Sequence, residues 1–589
     1  MRFSVKIFAV LVIALLGYGA ERFFYHNSDS PVVDRTFESR LAKPVSAVSS
    51  KDPDLPQTTL NTAFKQPSGK TITVTEGGAL QAAINKAKPG DSIVLDAGAT
   101  FTAPAGGFIL PAKADSRSTD WIVIRTSKLT AIPAEGERVI PEKHSQAMPK
   151  IVSADSAPAL GTEKNAHYYR IIGIEFTVEP TVKSNTALVR LGDSEETDVN
   201  NVPHDIIIDR CYIHGNKTGA MRRGVALNSA RTAVIDSYIS EFHDSGQDTQ
   251  AVCGWNGPGP FKIVNNYLEA TGENVMFGGA DPSIKGLTPS DIEFRQNYCC
   301  KPLAWKNDNS NKWVTKNLFE LKNARRVLVE GNTFENSWVS GQTGFAILFK
   351  SSNQDGKAPW SITEHVTFKD NIVRHASSAI NILGREHNTD HVTNNILIAN
   401  NLFDDIDARR WGGSGIFLQI TESPNVRVDH NTVFQSGNVI TAYGTPSTGF
   451  VFTDNIIRHN TYGVKGDARG TGNDTIRAYF PDATFSNNVI AGLPGGVSAS
   501  VYPPGNFFPA GVDSIKFADG QNGNYRLDPA SPFKSAAIDG TAVGCNLDEL
   551  DKAKHASSRR STFKSAAANQ LVAFNRPGDA SLVKLWQPR

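Results

Sequence analysis

A short pattern of alternating apolar residues that ends in asparagine recurs along the chain and limits what it can fold into. It has the form apolar-x-apolar-x-x-Asn-x-apolar and is clearest at residues 327–334 (VLVEGNTF). Related copies cover residues 206–213, 234–239, 263–268 and 292–298, and later ones centre on Asn371, Asn401, Asn431, Asn455 and Asn488. The asparagines of successive copies are separated by between 24 residues (431 to 455) and 39 residues (332 to 371). One structural unit with insertions of variable length explains this spacing.

The repeat predicts an all-β fold, a right-handed parallel β-helix. Alternation buries one face of a strand, and no single unit can bury that face alone, so the units must stack. Stacking places like residues above like, and the asparagines are therefore expected to form hydrogen-bonded ladders where the strands turn. A second short strand precedes several of the marked ones, at residues 318–322, 345–350, 379–383 and 415–419.

The two ends of the repeat region are also visible. Residues 79–84 have helical spacing, the KPGD segment at 88–91 stops the helix, and a strand follows. Such an N-terminal capping helix covers the open apolar end of a solenoid. We assign the β-helix to residues 70–545, after a flexible linker at 28–69 and before an irregular basic C-terminal tail at 546–589.

The N-terminus predicts export. Arg2 and Lys6 precede an apolar run from Ile7 to Ala20, the pattern of a secretory signal. Residues 1–27 are read as a cleaved signal peptide or as a signal anchor, and both alternatives stay open. In either case the β-helix is expected outside the cytoplasm: periplasmic, at the cell surface or membrane-anchored.

Composition excludes several classes of protein. A formal net charge of +1 offers no general basic surface for nucleic acid. Five cysteines are too few for a disulfide scaffold. We expect buried free thiols, with a single bridge as the alternative, and we expect a monomer. No Cys/His cluster suggests zinc.

One outward strand face carries the main candidate site. By alternation, Glu320 and Lys322 point away from the core, and Lys350 is expected one coil further on. Asn381 and Gln419 face outward on the next two coils. Repulsion between two neighbouring ammonium groups lowers the pKa of at least one of them, whereas Glu320 acts in the opposite direction, so the net shift stays open. The row predicts a base and a positive groove for uronate sugars. The alternative is a solvated strand face with a Glu–Lys pair.

A second group of residues is a candidate calcium site. Asp244, Asp248 and Glu273 lie on loops of two consecutive coils, and Ca2+ prefers oxygen ligands. The alternative is three separately solvated acids.

Tryptophans form a third group. Trp305, Trp338 and Trp360 fall in predicted loops or at strand edges of the middle coils. Aromatic faces in a polar cleft suit sugar rings, and the alternative is that they pin long loops onto the solenoid.

The opening segment carries a family resemblance. Residues 80–84 (LQAAI) with 88–95 (KPGDSIVL) resemble the start of many secreted bacterial proteins of the pectin-lyase-like superfamily. The resemblance is strongest to uncharacterised bacterial β-helix repeat proteins, and it extends in part to the alginate lyase and chondroitinase B group of polysaccharide lyases. It spans roughly residues 70 to 545.

The resemblance to these lyases implies an activity. Their strand ending Leu-Arg-His-Gly-Asn precedes Val-Glu-Gly-Asn-x-Phe; here residues 329–334 match the second part, and Lys322 stands where the family has its catalytic arginine. In the family's calcium-and-lysine segment only Glu273 remains, and the family's lysine is missing. The resemblance implies β-elimination on an acidic polysaccharide, with calcium as the cofactor. The alternative is a non-catalytic glycan-binding or structural protein of the cell surface.

Overall fold

The computed structural model describes residues 52–113, 119–308 and 310–555. Across them the chain forms a right-handed parallel β-helix with three long sheets. Each complete coil gives one strand to sheet 1, one to sheet 2 and one to sheet 3 before the chain returns to sheet 1. The predicted fold class is confirmed. The predictions for residues 1–27 and 28–51 lie outside the described residues.

The strands of each sheet follow chain order, and all pair in parallel. Sheet 1 contains Thr71–Val74, Ser92–Leu95, Ile122–Thr126, His167–Ile172, His204–Asp209, Ala230–Ile235, Gly259–Val264, Ser290–Arg295, Ala324–Glu330, Thr363–Lys369, Asn394–Ala399, Val426–Asp429, Val451–Thr453 and Thr484–Ser486. Sheet 2 contains Thr100–Thr102, Lys150–Ser153, Glu175–Val178, Tyr212–His214, Tyr238–Phe242, Tyr267–Ala270, Tyr298–Cys300, Thr333–Ser337, Ile372–Ala376, Leu402–Ile406, Thr432–Gln435, Ile456–Arg458 and Val489–Ala491. Sheet 3 contains Phe108–Leu110, Leu160–Thr162, Val189–Leu191, Arg223–Leu227, Gln250–Gly254, Val275–Phe277, Phe319–Leu321, Phe345–Ser352, Ser378–Glu386, Leu418–Thr421, Ile440–Ala442 and Val464–Gly466.

The remaining elements are short. Two small strand pairs are Ser184–Asn185 with Ala220–Met221, parallel, and Phe517–Asp519 with Asn524–Leu527, antiparallel. The α-helices are Leu80–Lys86, Pro141–His144, Leu303–Lys306, Ala408–Trp411, Asn473–Tyr479 and Leu547–Lys554. The 3-10 helices are Leu129–Ala131, Ser145–Ala147, Val199–Asn201, Ala499–Val501, Val512–Ile515 and Gly520–Asn522.

Asparagine side chains form a ladder where sheet 1 turns into sheet 2. Each Nδ2 donates to the Oδ1 of the asparagine one coil further on, at 2.9 to 3.1 Å, and the same oxygen accepts the preceding asparagine's backbone N–H. The members are Asn266, Asn297, Asn332, Asn371, Asn401, Asn431, Asn455, Asn488 and Asn506. The residue before a ladder asparagine is in the left-handed region, as at Gly331 (φ 68). The predicted ladder is confirmed.

The N-terminal end is capped as predicted. The helix Leu80–Lys86 buries Leu80 and Ile84, and the Gln81 side chain exchanges two hydrogen bonds with the backbone of Ile109. The helix therefore closes the first layer of the apolar interior.

The second half of the predicted flexible linker lies along the outside of sheet 1. Thr62 O accepts a bond from Arg170 at 2.9 Å, Leu60 O accepts one from Lys262 at 3.0 Å, and the Asp54 amide donates to His365 at 2.9 Å. These partners belong to different coils, so the segment crosses the stack. It is fixed because outward side chains of the sheet satisfy its backbone groups.

The C-terminal part also differs from expectation. The parallel strands of the three sheets end at Ala491, and residues 517–527, within the range assigned to the β-helix, form an antiparallel hairpin. Within the predicted irregular tail, the helix Leu547–Lys554 buries Leu550 against Leu402 and Phe434. Leu550 lies on the apolar side of this short helix, and through it the helix packs against the coils.

Two further predictions concern cysteines and the membrane. All five cysteines are free, and four of them are buried, as expected. Within the described residues, no helix combines the length and apolarity needed to cross a bilayer.

Candidate functional site

The predicted row of outward residues exists on sheet 3. Glu320 pairs in register with Met276 on one side and with Leu348 on the other. Leu348 pairs with Asn381, which pairs with Gln419. Alternation along the strands therefore placed these side chains correctly, and the row crosses four consecutive coils from Glu320 onward.

Lys322 and Lys350 meet at one carboxylate. Each Nζ lies 3.5 Å from Glu320 Oε1, and Lys350 Nζ also lies 2.9 Å from Glu386 Oε2. The predicted proximity of the two lysines is borne out by this geometry. Asn317 Nδ2 donates to the second oxygen of Glu320 at 2.9 Å.

This cluster is buried, which corrects the expectation of a solvated strand face. Glu320 is 0% exposed, Lys322 is 7% exposed and Lys350 is 9% exposed. Burial acts to lower the pKa of Lys322, but Glu320 and the more distant Glu273 reverse the effect and raise it. Of the two opposing effects expected at Lys322, the carboxylates therefore outweigh the repulsion from the second ammonium group.

A second ion cluster lies on the neighbouring coils. Lys316 Nζ contacts Asp248 Oδ1 and lies 3.6 Å from Glu273 Oε1. Gln250 Nε2 donates to Glu273 Oε2 at 2.7 Å. Glu273 is fully buried, and burial raises the pKa of its carboxyl group, helped by Glu320.

The predicted calcium trio is not brought together. Asp244 Oδ1 accepts the amides of Gly246 and Gln247 and so closes a local turn. Asp248 and Glu273 do face each other, but the ammonium of Lys316 stands between them. Ca2+ requires six to eight oxygen ligands, so these residues do not fit a calcium ion while Lys316 holds this position.

Another set of side chains has better metal-ligand spacing. Among the described residues, the donor atoms of Asp429, His430 and Asp454 lie within 4.8 Å of one another, and no other group of three or more His, Cys, Asp or Glu side chains does so. This group lies where sheet 1 turns into sheet 2, away from the row on sheet 3.

Among the residues that the structure describes, buried amide oxygens along the outer face of sheet 3 have no hydrogen-bond partner: Gln250 Oε1, Asn317 Oδ1 and Asn381 Oδ1. Glu273 Oε1 and Glu320 Oε1 also accept no hydrogen bond there, but each lies 3.5 to 3.6 Å from a lysine ammonium group. Buried polar atoms are usually paired, so a row of unpaired acceptors is unusual for a purely structural surface. The groove is rich in acceptors that a ligand rich in hydroxyl groups can satisfy.

Lys301 fixes the turn that carries Glu273. This lysine is 0% exposed, and its Nζ donates to Ala270 O at 2.8 Å, Gly272 O at 2.6 Å and Asn274 Oδ1 at 2.8 Å. Burial lowers the pKa of Lys301 to about 7. The buried Lys301 side chain therefore holds this turn to the next coil, and it does so from inside the protein.

The groove continues into a cleft of about 290 Å3 at its N-terminal end. Its lining includes Arg222, Arg223, Asp248 and Trp255. The Arg223 guanidinium lies 5.1 Å from the centroid of the Trp255 ring, and Arg222 Nε donates to the Asp248 carbonyl at 3.4 Å. This end of the groove is cationic and carries an aromatic face.

The three tryptophans predicted to bind sugar do not form one platform. Trp338 is 6% exposed, and Trp360 Nε1 donates to Leu287 O at 3.1 Å. Trp305 makes an edge contact with the buried His243, which also stacks on Trp313 at 4.1 Å. Trp338 is too buried to stack on a sugar, and Trp360 and Trp305 help to hold loops against the coils.

Sequence reasoning missed several members of the site: Arg222, Arg223, Gln250, Lys316, Asn317 and Glu386. Lys316 and Asn317 directly precede a predicted strand, and Glu386 ends the observed strand Ser378–Glu386, beyond the predicted end at residue 383. All three therefore fall outside the alternating core of the pattern. Their position at strand ends is the signal that could have identified them.

No protein-family model matches the sequence, and no curated protein does. Solved structures with similar folds include an alginate lyase from Paenibacillus sp. str. FPU-7, 14% identical, with a TM-score of 0.33 over 67% of this chain and 97% of that one. The PL6 family alginate lyase AlyGC is 12% identical, with a TM-score of 0.43 over 82% of this chain and 58% of that one. The pectate lyase Pel9A is 11% identical, with a TM-score of 0.34 over 82% and 94%. The fold assignment rests on the three sheets described above.

Proposed function

We propose that the protein binds an acidic polysaccharide along the outer face of sheet 3. The observation that carries the proposal is a set of amide oxygens, at Gln250, Asn317 and Asn381, that accept no hydrogen bond from the described residues. Sugar hydroxyl groups can donate to these oxygens, and leaving such groups unpaired costs about 1–3 kcal/mol each. A polysaccharide extends over several sugar units, as the row extends over several coils.

The charge pattern supports an acidic ligand at one end of this groove. Lys316, Lys322 and Lys350 are each paired with carboxylates, whereas no ion pair of Arg222 or Arg223 occurs within the described residues. Arginine matches a planar carboxylate with two parallel hydrogen bonds. A uronate unit therefore fits best at the arginine end, and uncharged hydroxyl contacts fit the middle.

β-Elimination is the second candidate function. It needs a base and a positive group that stabilises the developing negative charge. The Lys322 and Lys350 ammonium groups, both 3.5 Å from one oxygen, favour the second role. The raised pKa of Lys322 opposes the first role, since a base must be deprotonated. Binding is therefore better supported than cleavage.

A screen of the full-length protein against alginate, pectate and glycosaminoglycans tests both candidates. Affinity electrophoresis measures binding, and ultraviolet absorbance reports new unsaturated uronates. We expect retardation by at least one acidic polymer, and about threefold or more weaker binding by the Asn381→Ala variant. Asn61→Ala changes an exposed asparagine on the segment that crosses the outside of sheet 1 and serves as the matched control. Retardation by no polymer, or equal binding by Asn381→Ala, would contradict the proposed groove.

We also propose that the β-helix is exported. The support is the charged and apolar N-terminal segment, which precedes the described residues. Protease added to intact spheroplasts should digest the β-helix, and full protection there would contradict this orientation.

A further inference from the structure

The position of Lys316 is fixed by the strands around it. Its backbone N–H donates to Thr271 O at 3.0 Å, and the preceding Thr315 carbonyl accepts the Gly341 amide at 2.9 Å. The side chain then reaches the two carboxylates of Asp248 and Glu273. It is 17% exposed. The ammonium therefore stands in the acidic part of the groove as a consequence of the fold.

Asp248, Glu273 and Lys316 influence one another's pKa. Burial acts to raise the pKa of Asp248, but the Lys316 ammonium outweighs it and lowers that pKa. Burial acts to lower the pKa of Lys316, but Glu273 and Asp248 outweigh it and raise that pKa. The Lys316 ammonium thus favours the ionised form of both acids, and for Asp248 it outweighs burial.

The oxygen atoms around Lys316 resemble a set of calcium ligands. Asp248 and Glu273 supply carboxylates, and the amide oxygens of Gln250 and Asn317 accept no hydrogen bond from any residue in the described ranges. Gln250 is held through its nitrogen by Glu273, so its oxygen stays in the same neighbourhood. Carboxylate and amide oxygens are the ligands that Ca2+ prefers.

We propose that the Lys316 ammonium takes the place of a calcium ion in this groove. The native protein then needs no calcium to hold Asp248 and Glu273 together. Removal of the amine leaves two carboxylates and two amide oxygens without a cation, and this set becomes a calcium site. The inference about calcium does not depend on the proposed function. Only its consequence, that glycan binding needs no calcium, rests on the proposed function.

Calcium titration calorimetry on the full-length protein, stripped with EDTA, tests the inference about calcium. All proteins carry Asp454→Asn, which weakens the separate Asp429–His430–Asp454 group while keeping an oxygen acceptor for the Ile538 amide. We expect no saturable binding with Lys316 present, and about tenfold or more tighter calcium binding in Lys316→Ala. Calcium should also raise the midpoint of thermal unfolding of that variant alone.

Two further variants complete the design. Lys312→Ala removes an exposed lysine of the same excursion and should gain no calcium binding. Lys316→Gln is a milder change for use if Lys316→Ala does not fold, and it should also gain calcium binding.

Three results would overturn the inference. One is saturable calcium binding by the Lys316 protein that disappears on Glu273→Gln. Another is the absence of any calcium gain in a folded Lys316→Ala or Lys316→Gln variant. The third is failure of both variants to fold at every calcium concentration, since calcium should restore the missing positive charge. Retardation by glycan is measured in parallel, in EDTA and in calcium. Absence of glycan binding would contradict the proposed function but not the inference about Lys316.

Discussion

Replacing Lys322 with methionine should destabilise the protein, although the residue lies on an outward strand face. The ammonium is one of two that approach Glu320 Oε1, each at 3.5 Å. Glu320 is fully buried, so water cannot take over the lost interaction. Methionine keeps most of the aliphatic stem and therefore changes the charge more than the packing.

The magnitude follows from what remains around Glu320. Removing one partner of a buried ion pair costs about 3–5 kcal/mol, because the other charge is left uncompensated. Lys350 still lies 3.5 Å from the same oxygen, but it is shared with Glu386 at 2.9 Å. We therefore expect a loss of about 2 kcal/mol in the free energy of unfolding, below the usual range.

Urea denaturation of the wild type, Lys322→Met, Glu320→Gln and the double variant measures this loss and the coupling between the two residues. The double variant should recover about 1 kcal/mol or more relative to the sum of the single changes, since it leaves no unpaired charge. Lys312→Met, at an exposed position, should stay within about 0.5 kcal/mol of wild type. A Lys322→Met protein as stable as this control would refute the reasoning.

Three other predictions concern the support of the fold and of the site. Asn371→Ala should lower the free energy of unfolding by about 2–3 kcal/mol, measured by urea denaturation, because the Asn332 backbone N–H and side-chain amide lose their acceptor and the Val329 carbonyl loses a donor. Lys301→Met should lower it by about 3 kcal/mol and speed hydrogen exchange in the turn that carries Glu273, because the oxygens around Nζ lose their donor. Burial raises the pKa of Asp454 to about 6, so the folded state binds this proton more tightly than the unfolded state does, and stability should fall as the pH rises from 3.8 to 6. In Asp454→Asn that part of the pH dependence should be absent.

The repeat made the fold predictable because the same residues determine the local strand pattern and the stacking of the coils. Asn332, Asn371 and Asn401 could be aligned by eye, and a ladder requires only that their coils stack. Alternation likewise placed Glu320 and Asn381 on the outward side of sheet 3. A rule with period two needs no knowledge of distant residues.

The burial of the site was not predictable by the same rule. The alternating pattern predicts on which side of a strand a residue lies, but it does not predict which other parts of the chain cover that side. Lys316, 68 residues from Asp248, and Glu386, 36 residues from Lys350, reach their partners only because coils of unequal length stack in one register. The same limit applies to Trp338, whose burial depends on where its loop docks.

The distribution of charge also limits which groups can act in a reaction. Lys322 is held in its protonated form by Glu320 and Glu273, so it suits the stabilisation of negative charge better than proton abstraction. The carboxyl group of Glu273 is in the opposite situation, since burial and then Glu320 raise its pKa. A carboxylate with a raised pKa is a stronger base than an ordinary one. If elimination takes place in this groove, the proton acceptor is therefore better sought at Glu273 than at either lysine, and Lys316, 3.6 Å from that carboxylate, controls how readily it accepts a proton.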